Sequence, residues 1–208
     1  MKLFSTVRNE ADGEQIIERS RFIGHVCPCE TREEAEVFFD RIRDEYKDAT
    51  HNVPAMVIGD KMQIQWASDN GEPQGTSGAP IVQMLVRQGI TNIAVVVTRY
   101  FGGIKLGTGG LVRAYTSSTQ IALDAAEICD VDELDALEWK IDYKAFNRVQ
   151  NHNFDGTVEL KDIRYTDCIQ FVTVCADPES CSAQIQFLAG GSAELVCQRK
   201  ERVLIPRP

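Results

Sequence analysis

The spacing of apolar and polar residues divides the chain into alternating strands and helices. Short runs rich in β-branched and aromatic residues predict strands over residues 3–7, 15–18 and 21–27. Asp12-Gly13 is a turn signal between the first two of these strands. Thr31 and Glu34 match a helix capping box. One apolar helix face is then predicted, because apolar residues recur at helical spacing at Ala35, Phe38, Phe39, Ile42 and Tyr46.

The middle of the chain continues this alternation. Residues 52–58 and 62–67 are predicted strands. A helix is expected to begin near Thr76 or Ser77, with Pro80 in its first turn, and to end at Gly89. The continuous apolar run 93–97 is typical of a strand buried on both faces. A long helix over residues 109–127 follows it.

The last third restarts the pattern after an acid-rich segment, residues 130–138, which we interpret as an inter-domain linker. The order β-α-β-β-α-β is typical of a ferredoxin-like domain. It is predicted over residues 137–143, 144–151, 158–165, 169–175, 178–188 and 194–198. Because 208 residues exceed the usual size of one domain, we expect a two-domain α+β protein, divided into residues 1–130 and 131–208.

Composition narrows the class of protein. The chain is 43% hydrophobic and 25% charged, which is ordinary for a globular protein. It contains no apolar run of the roughly 20 residues that a membrane span needs, and its first residues lack the pattern of a secretory signal. The seven cysteines form no C-x-x-C pair, and the three histidines have no metal-binding spacing. We therefore expect a cytoplasmic protein with reduced thiols, no metal and no cofactor.

Charge is distributed unevenly along the chain. The net charge is −9, yet residues 73–123 contain no Asp or Glu. The same window contains four cations, Arg87, Arg99, Lys105 and Arg113, and eight of the fifteen glycines. A positive, glycine-rich surface without carboxylates suits an anionic ligand. We expect the function to reside in this window.

The second glycine-rich loop lies between the buried strand and the long helix, where anion-binding loops occur. Its candidate anion-binding residues are Gly102, Gly103, Gly107, Thr108, Gly109 and Gly110. It matches neither the Walker A nor the dinucleotide-binding pattern. Arg99, Lys105 and Arg113 surround it in sequence and would suit a phosphate group or a nucleic-acid backbone.

Aromatic residues near this loop allow two interpretations. Tyr100, Phe101 and Tyr115 are candidates for stacking against a base. In the alternative, these aromatics belong to the core and the glycines only form tight turns. The sequence alone leaves both open.

The first glycine-rich loop begins with two carboxylates, Asp69 and Glu72. They are candidates for orienting a metal or acting as a general base, but such loops more often cap neighbouring backbone, and we favour that structural role. No catalytic residue is predicted.

The two loops together resemble the signature of the Impact/YigZ family. The first block reads Asp69-x-Gly71-Glu72-Pro73-x-Gly75-Thr76-x-Gly78-x-Pro80. The second reads Val97-Thr98-Arg99-Tyr100-Phe101-Gly102-Gly103-x-Lys105-Leu106-Gly107-x-Gly109-Gly110-Leu111-Val112-Arg113-Ala114-Tyr115. Ser20-Arg21-Phe22-Ile23 and His51-Asn52 also resemble family positions, so the likeness covers residues 15–125.

The resemblance implies a fold and a biological context. Short, bacterial-type members have an N-terminal domain with the left-handed βαβ fold of a small-subunit ribosomal protein and of domain IV of elongation factor G. Their C-terminal domain is similar to domain V of that factor. Eukaryotic Impact proteins carry a further N-terminal module. They restrain a starvation-responsive initiation-factor kinase by competing for its activator.

Three hypotheses of function remain. The first is a non-enzymatic protein that binds RNA or a ribosome-associated protein and regulates translation. Residues 1–130 and 131–208 carry −5 and −4, which sum to the net −9, so such binding must be local and salt-sensitive. The second is an enzyme or sensor of a small phosphorylated ligand or nucleotide at the glycine-rich loop. The third is a protein–protein adaptor in which the loops only shape a surface.

Overall fold

The computed structural model describes residues 2–207 and is a mixed α/β structure with two sheets. Contacts divide the chain into two units. One contains residues 2–131 together with 204–207, and the other contains residues 132–203. Within residues 2–207, no helix is long and apolar enough to cross a membrane.

The first unit contains a five-stranded sheet in the order β2-β3-β6-β4-β5, with antiparallel neighbours throughout. Its elements up to the long helix are β1 (Lys2–Val7), β2 (Ala11–Ile17), β3 (Ser20–Pro28), α1 (Arg32–Glu45), β4 (His51–Ile58), β5 (Ile64–Ala67), α2 (Gly78–Gln88), β6 (Ile93–Tyr100) and α3 (Gly107–Ala125). The strands and helices predicted from apolar spacing are present here, with shifted ends.

The central strand β6 is buried on both faces, as its unbroken apolar run predicts. Val95 and Val97 belong to a core that includes residues of α2 and α3, such as Leu85. Ala94 and Val96 belong to a second core on α1. Because successive side chains of a strand point to opposite faces, one continuous apolar strand supplies both cores.

The Thr31 half of the predicted capping box before α1 is confirmed. Thr31 occupies the N-cap, and its Oγ1 accepts a hydrogen bond from the Glu34 amide at 3.2 Å. The Glu34 carboxylate accepts a hydrogen bond at 2.8 Å from the amide of Glu30, one residue before the N-cap, rather than from the amide of Thr31.

The predicted turn at Asp12-Gly13 is wrong. Both residues lie in β2, and Gly13 pairs with Gly24 of β3. A Cβ on Gly13 would lie 2.5 Å from Ile121 Cγ2, so the glycine allows close approach of α3. The tight turn lies instead at Glu18-Arg19, which both adopt positive φ and connect β2 to β3.

The second unit takes up most of β7 (Ile128–Ile141) and β10 (Glu194–Pro206), with α4 (Tyr143–Gln150), β8 (Val158–Tyr165), β9 (Ile169–Cys175) and α5 (Pro178–Ala189) between them. β9 lies between β7 and β8, and β10 pairs with β7. The core is built on Trp139, Phe146, Phe171 and Ile185, all at most 1% exposed. The element order is the β-α-β-β-α-β that the sequence predicts, with a longer last strand.

The segment predicted as a linker, residues 130–138, contains the boundary between the two units, but it is a continuous part of strand β7. Apolar residues alternate with acids at its start, so that Cys129 and Val131 are buried while Asp130 is only half-buried. The buried Asp135 accepts hydrogen bonds from Lys200 at 2.8 Å and Gln198 at 3.1 Å. Acids that are half-buried or paired with cations are compatible with a strand.

Candidate functional site

The two glycine-rich loops meet in the first unit around a cavity of about 410 Å³, which we call the motif cavity. It is lined by Thr50, His51, Glu72, Pro73, Arg99, Phe101, Lys105, Leu106, Gly107, Thr108 and Leu111. Strand pairing explains the convergence. Arg99 of β6 lies opposite Phe22 of β3 on one side and His51 of β4 on the other.

Arg99 forms a buried part of the cavity wall. Its Nη1 donates to Glu72 Oε1 at 2.6 Å, and the two side chains are only 5% and 4% exposed. Its Nη2 donates to Ser20 Oγ at 3.4 Å. The guanidinium carbon lies 5.2 Å from the ring centres of both Phe22 and Phe101. The prediction of Arg99 as a free cation is therefore wrong, because Glu72 neutralises it.

Tyr115 completes this buried cluster. Its hydroxyl donates to Glu72 Oε1 at 2.7 Å, and the residue is fully buried. Burial first, and then the hydrogen bond to the carboxylate, raise the pKa of Tyr115 far above its ordinary value. Tyr115 cannot stack against a base as predicted, because its ring is inside the core.

His51 presents one ring nitrogen to the cavity. Its Nδ1 lies 2.8 Å from the carbonyl oxygen of Asn70. A carbonyl only accepts, so Nδ1 carries the hydrogen and Nε2 of the neutral ring has a free lone pair. Nε2 lies 3.9 Å from Glu72 Oε1, beyond direct hydrogen-bond distance.

Asp69 is a capping residue, as the structural interpretation of the first loop predicts. Its carboxylate accepts from the Gly75 amide at 2.7 Å, the Gly78 amide at 3.0 Å and the amide and hydroxyl of Ser77. Burial raises its pKa, but these hydrogen bonds outweigh burial, so the pKa of Asp69 lies below its ordinary value. Its oxygens are occupied at the start of α2 and are not placed for acid–base chemistry.

The other residues of the first loop shape it. Thr76 donates to the Pro73 carbonyl at 2.6 Å and is buried. Gly71 adopts positive φ beside the ring of His51, where a Cβ would lie 3.5 Å away. The loop thereby places Glu72 and Pro73 on the cavity.

The start of the second loop is held by hydrogen bonds from its backbone amides to side-chain hydroxyls. The Gly102 amide donates to Ser20 Oγ at 3.1 Å, and the Phe101 amide donates to Thr50 Oγ1 at 3.0 Å. A Cβ on Gly102 would lie 2.0 Å from the Arg19 carbonyl oxygen, so only glycine fits there. Phe101 itself is 45% exposed at the cavity.

The start of α3 supplies the positive part of the cavity. Leu106 occupies the N-cap without a side-chain hydrogen bond, and the first turn contains no acidic residue. Gly107, Thr108 and the exposed Lys105 line the cavity at this end. Uncapped amides and the helix dipole favour an anion here.

Arg113 lies away from the motif cavity. It lines a wider groove along α3, of about 920 Å³, which also receives Gly110 and Lys105. Lys105 alone of the three predicted cations lines both depressions. The predicted convergence of three cations is therefore wrong, since Arg99 is neutralised and Arg113 faces the groove.

The remaining predicted residues lie outside both depressions. The Tyr100 hydroxyl donates to Asp48 at 2.9 Å. Gly103 and Gly109 are exposed and line neither the motif cavity nor the α3 groove. Within residues 2–207, no group of three or more His, Cys, Asp or Glu residues is arranged to hold a metal ion.

Sequence reasoning missed Ser20, Thr50 and the cavity role of His51. Ser20 and His51 appeared only as positions of family resemblance, because a single polar residue at a strand end has no distinctive spacing. No motif or spacing in the sequence pointed to Thr50.

Comparison with known proteins settles the family. The model of the Impact N-terminal domain matches residues 18–123. The chain belongs to the Impact family. It is similar to the Bacillus subtilis protein IMPACT family member YvyE, with 37% identity over 177 residues that cover 85% of this chain and 82% of that protein.

Other Impact relatives match over less of their length. The Escherichia coli protein IMPACT family member YigZ is 44% identical over 109 residues, about half of either chain, at 51% and 53%. A crystal structure described only as that of a hypothetical protein shares 29% identity at a TM-score of 0.59, covering 95% of this chain and 98% of that one. The predicted membership of the Impact/YigZ family is confirmed.

Proposed function

We propose that this Impact-family chain is a non-enzymatic binding protein that acts in translation by binding RNA at the start of α3. One observation carries the proposal. The two signature loops converge on a cavity whose rim presents an uncapped helix start, Lys105 and Thr108. Phosphate groups are bound at such helix ends.

The structural contacts of the two carboxylates in the first loop are compatible with a binding role. The carboxylate of Asp69 caps α2, and Glu72 is paired with Arg99 and Tyr115. These polar groups stabilise the loops. The translation context follows from what the family resemblance implies about Impact proteins.

We also propose the finer fold assignments that the resemblance implies. The strand order β10-β7-β9-β8 of the second unit supports a ferredoxin-like domain. The first unit would then be the left-handed βαβ domain, with a domain division near residue 131.

Retention of a structured RNA on filters at 50 and 200 mM salt tests the proposal. In a plot of the logarithm of the binding constant against the logarithm of the salt concentration, each phosphate contact contributes a slope of about −0.7 to −0.9. Contacts from Lys105 and Arg113 therefore predict that the affinity falls roughly tenfold between these two salt concentrations. The double variant Lys105→Ala with Arg113→Ala should bind more weakly and lose most of this salt dependence. A matched control, Lys61→Ala with Arg87→Ala, removes the same charge from exposed positions elsewhere.

Negligible retention at both salt concentrations would overturn RNA binding and leave the adaptor hypothesis. Equal weakening by the two double variants would show that only net charge matters.

A further inference from the structure

We propose that the motif cavity holds a single nucleotide with a free ribose diol, either a free nucleoside monophosphate or the 3′-terminal nucleotide of an RNA. The inference rests on the proposed function and names the ligand of the same site. Both sources share one chemistry, a phosphate on the 5′ side of a ribose with two free hydroxyls.

The size of the cavity fits one nucleotide. Its volume of about 410 Å³ lies in the lower part of the range of small-molecule sites, about 300–1,000 Å³. Apolar walls from Pro73, Leu106 and Leu111 surround a few polar groups, as is usual for such sites. A longer stretch of strand would have to continue outside the cavity.

The phosphate belongs at the start of α3. Gly107 and Thr108 are the first two residues of this 19-residue helix, and Lys105 precedes it. Within residues 2–207, Lys105 has no ion-pair partner, so its ammonium is available to an anion.

A second observation at the wall is independent of the helix. Glu72 lines the cavity with a side chain that is only 4% exposed. Its Oε1 is occupied, whereas no donor among residues 2–207 contacts its Oε2. A hydroxyl brought by a ligand can donate to this buried carboxylate.

The ribose hydroxyls belong at Glu72 and His51. Glu72 Oε1 accepts both hydrogen bonds from Arg99 and Tyr115. Its Oε2 has no partner among residues 2–207. His51 Nε2, 3.9 Å from Oε1, has a free lone pair when neutral. Two acceptors side by side suit a pair of neighbouring hydroxyls, and acidic side chains bind ribose diols in dinucleotide sites by the same contact.

Phe101 offers the surface for the base. It lines the cavity, is 45% exposed, and contacts the Arg99 guanidinium. An exposed ring of this kind stacks on any base, so we expect weak preference among the four nucleotides.

Calorimetric titration of the whole chain with adenosine 5′-monophosphate tests the inference. We expect binding that falls at least tenfold for adenosine, which lacks the phosphate, and for the 2′-deoxy nucleotide. Inorganic phosphate alone should bind more weakly than the nucleotide. Thr108→Val and Phe101→Ala, both at exposed positions, should each weaken binding about fivefold or more, whereas Lys61→Ala should leave it unchanged. Unchanged unfolding midpoints would show that the variants are folded.

Competition by a short RNA distinguishes the two sources. An RNA with an intact 3′ diol that displaces the nucleotide, and fails to do so after periodate oxidation of the diol, identifies the RNA end as a ligand. No displacement by either RNA identifies the free nucleotide. Absence of nucleotide binding, or equal binding of the deoxy form, overturns the inference. RNA retention without nucleotide binding would leave the proposed function standing, and loss of both would remove both.

Discussion

Removing Arg99 should destabilise the first unit far more than removing a surface charge. In Arg99→Met the Glu72 carboxylate stays buried, at 4% exposure, with only the Tyr115 hydroxyl as a close donor. Breaking a buried pair by removing one partner costs about 3–5 kcal/mol. The surface pair Arg32–Glu36, with side chains 50% and 54% exposed, should contribute under about 0.5 kcal/mol.

A double-mutant cycle isolates the pair. Glu72→Gln removes the charge but keeps the shape, and it should also be destabilising because the buried guanidinium then lacks its counter-charge. The double variant Arg99→Met with Glu72→Gln should cost less than the sum of the singles, by about 2–3 kcal/mol. The double variant should lose less stability than this sum because Glu72→Gln removes the charge that Arg99→Met leaves unpaired.

Urea unfolding followed by tryptophan fluorescence gives the free energies. The chain has two tryptophans, Trp66 in the first unit and Trp139 in the second. In a Trp139→Phe background, Trp66, which stacks on Phe39 with ring centres 5.9 Å apart, reports on the first unit alone. A loss below about 1 kcal/mol for Arg99→Met, with no coupling to Glu72, would refute the buried pair.

Four further variants test other contacts. Because the folded-state pKa of Asp69 lies below its unfolded value of about 3.9, its stabilisation is fully present above that pH and is lost as pH falls through the folded pKa. The stability difference between the parent and Asp69→Asn should shrink in acid urea titrations, and a constant difference would contradict this. Gly102→Ala should cost about 1–3 kcal/mol by its clash with Arg19. Gly109→Ala, which meets no atom closer than 3.8 Å inside α3, should instead stabilise by about 0.5–1 kcal/mol in the same unfolding assay. Thr31→Ala should lower stability by about 1 kcal/mol through loss of the cap, and an unchanged midpoint would show that the cap adds nothing.

Local signals in the sequence predicted local structure well. Apolar spacing located the helices, and the cap at Thr31 has the expected hydrogen bond. The errors arose where a local signal had a tertiary cause. Gly13 was interpreted as a turn, although it is a glycine because α3 approaches it closely. The acids of residues 130–138 were counted as linker composition, although their alternation with apolar residues indicates a strand.

The sequence predicted which stretch of the chain contains the candidate site, but not how its side chains are arranged. The acid-free window contains loop residues that line the motif cavity, such as Lys105 and Thr108. It could not show that Arg99 reaches Glu72, 27 residues earlier in the chain, because an ion pair across two loops has no spacing rule. Charge counting therefore overstated the free positive charge, and the burial of Tyr115 removed a stacking surface.

The pairing of Arg99 with β3 and β4 has a consequence for how this region can vary. The ladder of the sheet's middle strand anchors the wall of the cavity, with β2 and β5 forming the outer edges. Such a wall opens only when much of the unit unfolds. A ligand would therefore bind a preorganised surface, and little entropy would be lost in ordering that surface. Changes in the wall endanger the fold, whereas Phe101, Lys105 and Thr108 at the mouth are exposed and replaceable. Of these three, only Thr108 occupies a position that the family signature leaves open, so divergence in selectivity among related chains should concentrate there.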